Sequence, residues 1–362
     1  VSGAGGPLTP APEPITEIGL GDLAVINQGA LVLACGRGGG WERSVLHDVL
    51  AYAMRSGETL PVVRAADLPP DAWVVHVAML GSPAILGEKL PDGTELARAA
   101  RLVADRHGVR LAGVANVEIG GLNAFAAPLA ALELGLPVVD GDLMGRASQH
   151  FNQIILSATG FPPGTVSFVD NQQNHIVLRT DDVAVVDRVG DAVAVAFGGW
   201  AAVSLYLLRA VVLGVHGISG SLSRARMIGA ALTPPLTGTV DDLIARIGGR
   251  RLFHGTITEL STSVRASEPW AVVIDDGDRL ARIDAEQEYL VCAVDGEVVA
   301  TVPDIICLLA DTGELIDIEK LRLGLPVSVV RLRSDPKWED ARLSHLAGPE
   351  AFGLDLDPLL PP

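Results

Sequence analysis

Between Thr59 and Asp140, short apolar runs alternate with amphipathic stretches, and this alternation restricts the fold more than any other feature of the chain. "TLPVVRA" and "WVVHVAML" read as strands separated by the turn signal "DLPPD". "GTELARAARLVADRHG" predicts a helix over 93–108, with Gly108 in the C-cap position. Strand "RLAGVANV", helix "LNAFAAPLAALELG" and strand "LPVVD" follow in order. Upstream, "GALVLAC" (29–35) reads as a strand or a buried helix end, and "SVLHDVLAYAMRSG" (44–57) as a helix ending at Gly57. Strands alternating with helices imply an α/β layer architecture.

The pattern changes after about residue 164. "GTVSFVD" and "HIVLRT" are short β-like runs, and "DDVAVVDRVGDAVAVAFGG" predicts a helix leading into a buried strand. "SLSRARMIGAALTPP" and "TVDDLIARIGG" read as helices with Ser and Asp near their starts. From Arg251 to Leu332 the apolar runs are short and β-branched, and "VDGEV" is a two-residue hairpin signal at Asp295-Gly296. The expected organisation is a flexible leader over 1–20, an N-terminal α/β domain over 21–165, and a C-terminal α+β domain over 166–362. The C-terminal sheet is expected to be largely antiparallel.

Composition removes several function classes. The formal charge is −17, which repels nucleic-acid phosphates, and no basic run offsets it. Three lysines (Lys89, Lys320 and Lys337) leave few candidates for Schiff-base chemistry. Cys35, Cys292 and Cys307 form no CxxC pair, which argues against a disulfide framework or zinc ribbon and suits a reducing cytoplasm. The first residues lack a basic and an apolar region of the kind a signal peptide needs. From Ala192 to Leu208 the chain carries no charge, but Gly198-Gly199 interrupts it, so two buried strands or a helix–strand pair explain it better than a membrane span. Large Gly- and Ala-rich apolar segments point to a homo-oligomer.

The loop "LACGRGGGWERSV" (33–45) places Gly38, Gly39 and Gly40 beside Arg37 and Cys35. A Walker-type loop needs a lysine after its last glycine, and Trp41-Glu42 stands there instead. The dinucleotide fingerprint fails too, because Trp41 occupies its third glycine position, so no nucleotide cofactor is expected. The loop could still offer backbone N–H groups to an anion, with Arg37 adding a bidentate contact. Read alone, the glycines serve a tight turn, with Cys35 a buried small hydrophobe.

The densest set of reactive types lies in "NVEIGGLNAF" (116–125) and "LPVVDGDLMGRASQHFNQ" (136–153). Both follow predicted strands, at the edge where open α/β sheets bind ligands. Glu118, Asp140 and Asp142 supply carboxylates there; Asn123, Arg146 and His150 add a neutral hydrogen-bonding group, a fixed cation and a titratable base. Gly120 and Gly121 let a substrate approach the backbone. Glu118, Asp140, Asp142 and His150 could hold a divalent metal or divide into general base and acid. Alternatively, Asp140 and Asp142 cap a helix over "DLMGRASQHF" and Glu118 is a solvated loop residue. His76 reads as a core histidine.

These stretches, with "AMLGSP", "EKLP", "FGGWAA", "LFHGTI", "DGEVVATVPDIICLLADTGE" and "LRLGLPVSVV", resemble the S-methyl thiohydantoin desulfurase family. That family long carried a domain-of-unknown-function label and is associated with hydantoin-utilisation proteins. The resemblance runs in order from about Gly21 to "GPEAFGLDLD". It implies an N-terminal α/β domain and a C-terminal domain with substantial sheet. It also implies water attack at C2 of an S-methylated thiohydantoin, expelling methanethiol and leaving a hydantoin. On matched positions, Glu118, Asn123, Asp140, Asp142 and Arg146 are the residues that could serve.

The chain departs from the family where its loops approach the site. The family's glycine loop reads roughly G-T-G-G-G-G followed by Asp-Pro, whereas Cys35, Arg37 and Trp41-Glu42 break that pattern here. After "MGRA" the family tends towards Phe-Pro-Glu, and this chain has Ser148, Gln149 and His150; Trp200 replaces a small residue. A divergent member is expected, with a different substrate and direct use of Cys35 or His150. The leading expectation is a hydrolase acting on a small cyclic amide, ureide or S-methyl thiohydantoin-type ring, with optional assistance from a metal. Two other classes stand beside it. One is a transferase or cyclase in which Cys35, activated by a helix start and Arg37, attacks an acyl or thioimidate carbon. The other is a non-catalytic ligand-binding subunit of a hydantoinase-like complex.

Overall fold

The computed structural model describes residues 12–37, 44–147, 149–233, 238–261 and 270–360. A mixed eight-stranded sheet occupies the first part of the chain. Its strands run, edge to edge, Glu17–Gly19, Thr59–Val63, Val138–Val139, Leu111–Asn116, Trp73–Gly81, Trp200–Arg209, Gly164–Val169 and His175–Thr180. Thr59–Val63, Val138–Val139, Leu111–Asn116 and Trp73–Gly81 pair in parallel, and the remaining pairings are antiparallel. The parallel strands therefore deliver their following loops to one edge of the sheet, as β-helix-β crossovers require.

The second sheet is antiparallel throughout, with eight strands in the order Glu297–Thr301, Tyr289–Val294, Leu280–Ala285, Trp270–Asp275, Gly249–Ser261, Pro326–Leu332, Ile305–Ala310 and Leu315–Ile316. Asp295 and Gly296, at φ 51° and 84°, make the hairpin turn that "VDGEV" announces. The α/β and antiparallel α+β classes are thus both present. The expected break at 165/166 does not separate the sheets, however. Strands Gly164–Val169, His175–Thr180 and Trp200–Arg209 hydrogen-bond into the first sheet, and the second begins at Gly249.

Local signals explain most elements. Helix Glu95–His107 ends at Gly108 in the left-handed region, and helix Val45–Ala53 starts at Ser44, whose side chain accepts from the His47 N–H. That second helix stops at Met54, short of the expected Gly57. The uncharged stretch after Ala192 resolves into helix Val183–Ala196 and buried strand Trp200–Arg209. No helix among the described residues is long and apolar enough to cross a membrane.

Helix Leu20–Leu33 contains the "GALVL" run and has no polar face along most of its length, because it is buried from several sides. It crosses helix Ser221–Leu232 at backbone contact: a Cβ on Gly29 would sit 1.7 Å from the Ala225 carbonyl oxygen, and one on Gly229 would sit 1.7 Å from that of Val25. Only glycine permits that approach. The helix end then threads between the domains, where the Tyr289 N–H donates to the Cys35 carbonyl (2.9 Å) and the Ile318 N–H to that of Gly36 (3.0 Å). Gly36 has φ 91°, and a Cβ there would meet the Tyr289 ring at 2.4 Å.

Candidate functional site

At the shared edge of the parallel strands lies a cavity of about 110 Å³. Strand Trp73–Gly81 contributes Met79, Leu80 and Gly81; the loop after Leu111–Asn116 contributes Glu118, Gly120, Gly121 and Asn123. Ala147, Gln149, His150 and Phe151 close one side, and Ala34, Arg37 and Ser44 another. An engineered cavity of about 150 Å³ accommodates benzene, and this open pocket is of the same order.

The loop is positioned by the chain before it. Asn116, buried at the end of its strand, accepts from the Ala127 N–H (2.7 Å) and donates to the Ala124 carbonyl (3.2 Å), anchoring the helix that follows. Asn123 in turn has a determined orientation. Its Oδ1 accepts from the Met79 N–H at 2.7 Å, so its Nδ2 faces the Glu118 carboxylate and donates to Oε1 at 2.7 Å. A longer contact of 3.4 Å joins Nδ2 to the Met79 carbonyl. The sheet edge thus fixes an amide, and the amide fixes a carboxyl group at the cavity wall.

Six expected residues line this one cavity: Arg37, Glu118, Gly120, Gly121, Asn123 and His150. Gly38, Gly39 and Gly40, with Trp41, Glu42 and Ser148, lie outside the described residues. The other four expected residues do not line the cavity. Asp140 is a helix cap, though for a helix remote in sequence. Its Oδ1 accepts from the N–H groups of Leu222 (2.9 Å) and Ser223 (3.3 Å), and its Oδ2 from the Ser223 hydroxyl. Those bonds hold the start of helix Ser221–Leu232. Asp142 is fully buried, with both oxygens 2.9 Å from the Gly145 N–H, and burial raises its carboxyl well above the ordinary range. Among the described residues of "DLMGRASQHF" no α-helix forms; a short strand, Gly141–Asp142, is followed by bends and by a 3₁₀ turn at Phe151–Gln153.

The geometry bears on the expectations for metal binding and for a thiol nucleophile. Among the described residues no three His, Cys, Asp or Glu side chains are grouped to hold a metal ion, so Glu118, Asp140, Asp142 and His150 do not form a metal set. Cys35 follows the C-terminal end of helix Leu20–Leu33, not a helix start. Its thiol is fully buried and 3.5 Å from the Leu33 carbonyl, and desolvation pushes it up to about 12, outweighing the opposing effect of Arg146. Trp200 is also internal, donating its indole N–H to the Lys89 carbonyl at 2.7 Å. His76 is a core histidine: Nδ1 meets the Tyr206 carbonyl at 2.8 Å, and burial lowers it to about 4.

Arg146 is buried behind the cavity wall and pairs through Nη2 with Glu288 of the second sheet's domain; the two side chains are 1% and 0% exposed. Burial pushes the Glu288 carboxyl up and Arg146 opposes it. Removing one member of such a pair costs about 3–5 kcal/mol, because the other charge is stranded. Sequence reasoning missed Glu288. Its partner is 142 residues away, and "AEQEYL" carries no local motif.

These features define a two-domain protein with a small-ligand pocket at the edge of its α/β sheet. Family models described as "S-Me-THD-like, N-terminal domain" and "S-Me-THD-like, C-terminal domain" match residues 21–180 and 180–359. The chain belongs to the S-Me-THD-like family, the S-methyl thiohydantoin desulfurase-like proteins. No curated protein matches it. A crystal structure of a protein from Chromobacterium violaceum is similar over 94% of this chain and 98% of its own, at 25% identity and a TM-score of 0.78.

Proposed function

We propose that this chain is a hydrolase acting on a small five-membered ring of the hydantoin class, with an S-methyl thiohydantoin-type ring as the reacting form. The observation that carries the reading is the Met79–Asn123–Glu118 array opening on a cavity of single-ring size. Family membership supports the substrate class.

In this reading Glu118 is the general base. The carboxylate takes a proton from a water molecule, and the water oxygen bonds to ring C2. The tetrahedral carbon then collapses and the C2–sulfur bond breaks. Of the two water protons, one ends on the sulfur of methanethiol and the other on the ring nitrogen that was doubly bonded to C2. Asn123 holds the base in line, and His150, on the cavity wall, delivers the proton to sulfur. No step is routed through a metal, because the oxygens of Asp140 and Asp142 are already engaged by backbone N–H groups. Nor is any step routed through Cys35, whose buried thiol stays protonated at neutral pH. Incubating the protein with S-methyl thiohydantoin, titrating released thiol and identifying the ring product tests the reading. Equimolar methanethiol and hydantoin are expected; an intact ring after prolonged incubation overturns it.

A further inference from the structure

The buried Arg146–Glu288 pair has unspent hydrogen-bonding capacity. Arg146 Nε and Nη1 and Glu288 Oε1 have no nitrogen or oxygen partner among the described residues, although each atom is fully enclosed, and the only other group engaging Arg146 there is the weakly accepting Cys35 thiol. Groups so buried are normally satisfied, and an orphan donor or acceptor there calls for a missing partner. Donors left over on the cation and an acceptor left over on its carboxylate partner are a specific combination. It complements an edge that presents a carbonyl next to an N–H, which is the edge of a cyclic amide or ureide. The charges also match. Glu288 already neutralises Arg146, so the pair suits a neutral edge, and an anion would face the carboxylate.

The pair adjoins the cavity. Ala147, the residue after Arg146, lines it and packs so closely on Gly120 that a Cβ there would meet the Ala147 backbone at 2.6 Å. Glu118, on the cavity wall, acts electrostatically on Arg146, and two other wall residues, Arg37 and His150, act on Glu288.

We infer that Arg146 and Glu288 together bind the N–H/C=O edge of the ring substrate, making the second domain part of the ligand site. This inference rests on the reading of the cavity as a hydantoin-class site and assigns it a recognition element.

Calorimetric titration of the full chain with hydantoin and 1,3-dimethylhydantoin tests it, in wild type and in the R146M/E288M double variant. Replacing both members with apolar residues leaves no stranded charge, so the fold is expected to persist, which circular dichroism checks. Wild type is expected to bind hydantoin at least about tenfold more tightly than the dimethyl ring, which has no N–H to donate. The double variant is expected to lose at least about tenfold in hydantoin affinity and most of that discrimination. A folded double variant that binds hydantoin like wild type overturns the inference and leaves the pair a domain latch with interior water. Equal affinity of wild type for the two rings also overturns it, whatever the variant does. In both cases hydantoin binding still supports the proposed substrate class; failure of wild type to bind either ring overturns both.

Discussion

Replacing Asn123 with alanine should damage stability and turnover together, and the structure sets the size of each effect. The variant removes the acceptor of the part-buried Met79 N–H and the donor to Glu118, both at 2.7 Å. A neutral hydrogen bond contributes about 1 kcal/mol and one to a charged group about 1.5–3 kcal/mol, so the expected loss is about 2–4 kcal/mol. For a domain of this size that corresponds to a Tm lower by roughly 5–12 °C. Turnover should fall about 100-fold, at the low end of what a positioned general base supplies, because Glu118 remains but is no longer held. Asn123→Asp separates the two roles. It keeps an acceptor for Met79 but turns a second carboxyl group towards Glu118, where the two cannot both ionise comfortably. That variant should retain most of its Tm at mildly acidic pH while turning over slowly at neutral pH. Thermal melts combined with the thiol-release assay measure both quantities. An Asn123→Ala protein with wild-type Tm and turnover would refute the reasoning, since the amide would then support neither the sheet edge nor the base.

Five other outcomes follow from the account. Cys35→Ala should keep turnover within about threefold, because a thiol at about 12 is ionised in only roughly one molecule per 100,000 at pH 7; a complete loss in folded protein would restore the nucleophile reading. Stability should decline above about pH 9, because Cys35 and Cys292, both raised to about 12 from 9.0, hold protons in the folded state that the unfolded chain releases; denaturant midpoints at pH 8 and 10 check this. Asp142→Asn should be neutral or stabilising at neutral pH, since its folded carboxyl is raised and ionising it opposes burial; Asp140→Ala should cost about 1–2 kcal/mol through its cap, read by urea melts. Prolonged chelation should leave thiol release unchanged, with metal content measured alongside.

The readable parts of this chain are those whose signals are local. Gly108 ends its helix and Asp295-Gly296 turns its hairpin because each depends on neighbours within a few residues. Glu118 and Asn123 were legible for a related reason: both lie on one loop after a strand whose apolar run was clear. Helix Leu20–Leu33 was recognised only at its end, because burial removes the polar face that periodicity relies on. Asp140 reads from sequence as a site carboxylate or as a cap for the segment directly after it, whereas the helix it caps starts 81 residues later, beyond any local motif. Cys35 looked activated because the glycines after it suggested a strand-to-helix loop. The chain instead leaves a helix there and passes into the domain interface. Glu288 was invisible for the most general reason: its role arises from a contact between domains.

Glu118→Gln tests the central claim most directly, because the substitution keeps the shape and an acceptor for Asn123 while removing the base. With S-methyl thiohydantoin as substrate, kcat should fall about 10²–10⁴-fold while hydantoin affinity stays within about threefold of wild type. A Glu118→Gln protein that releases methanethiol at the wild-type rate would contradict the account.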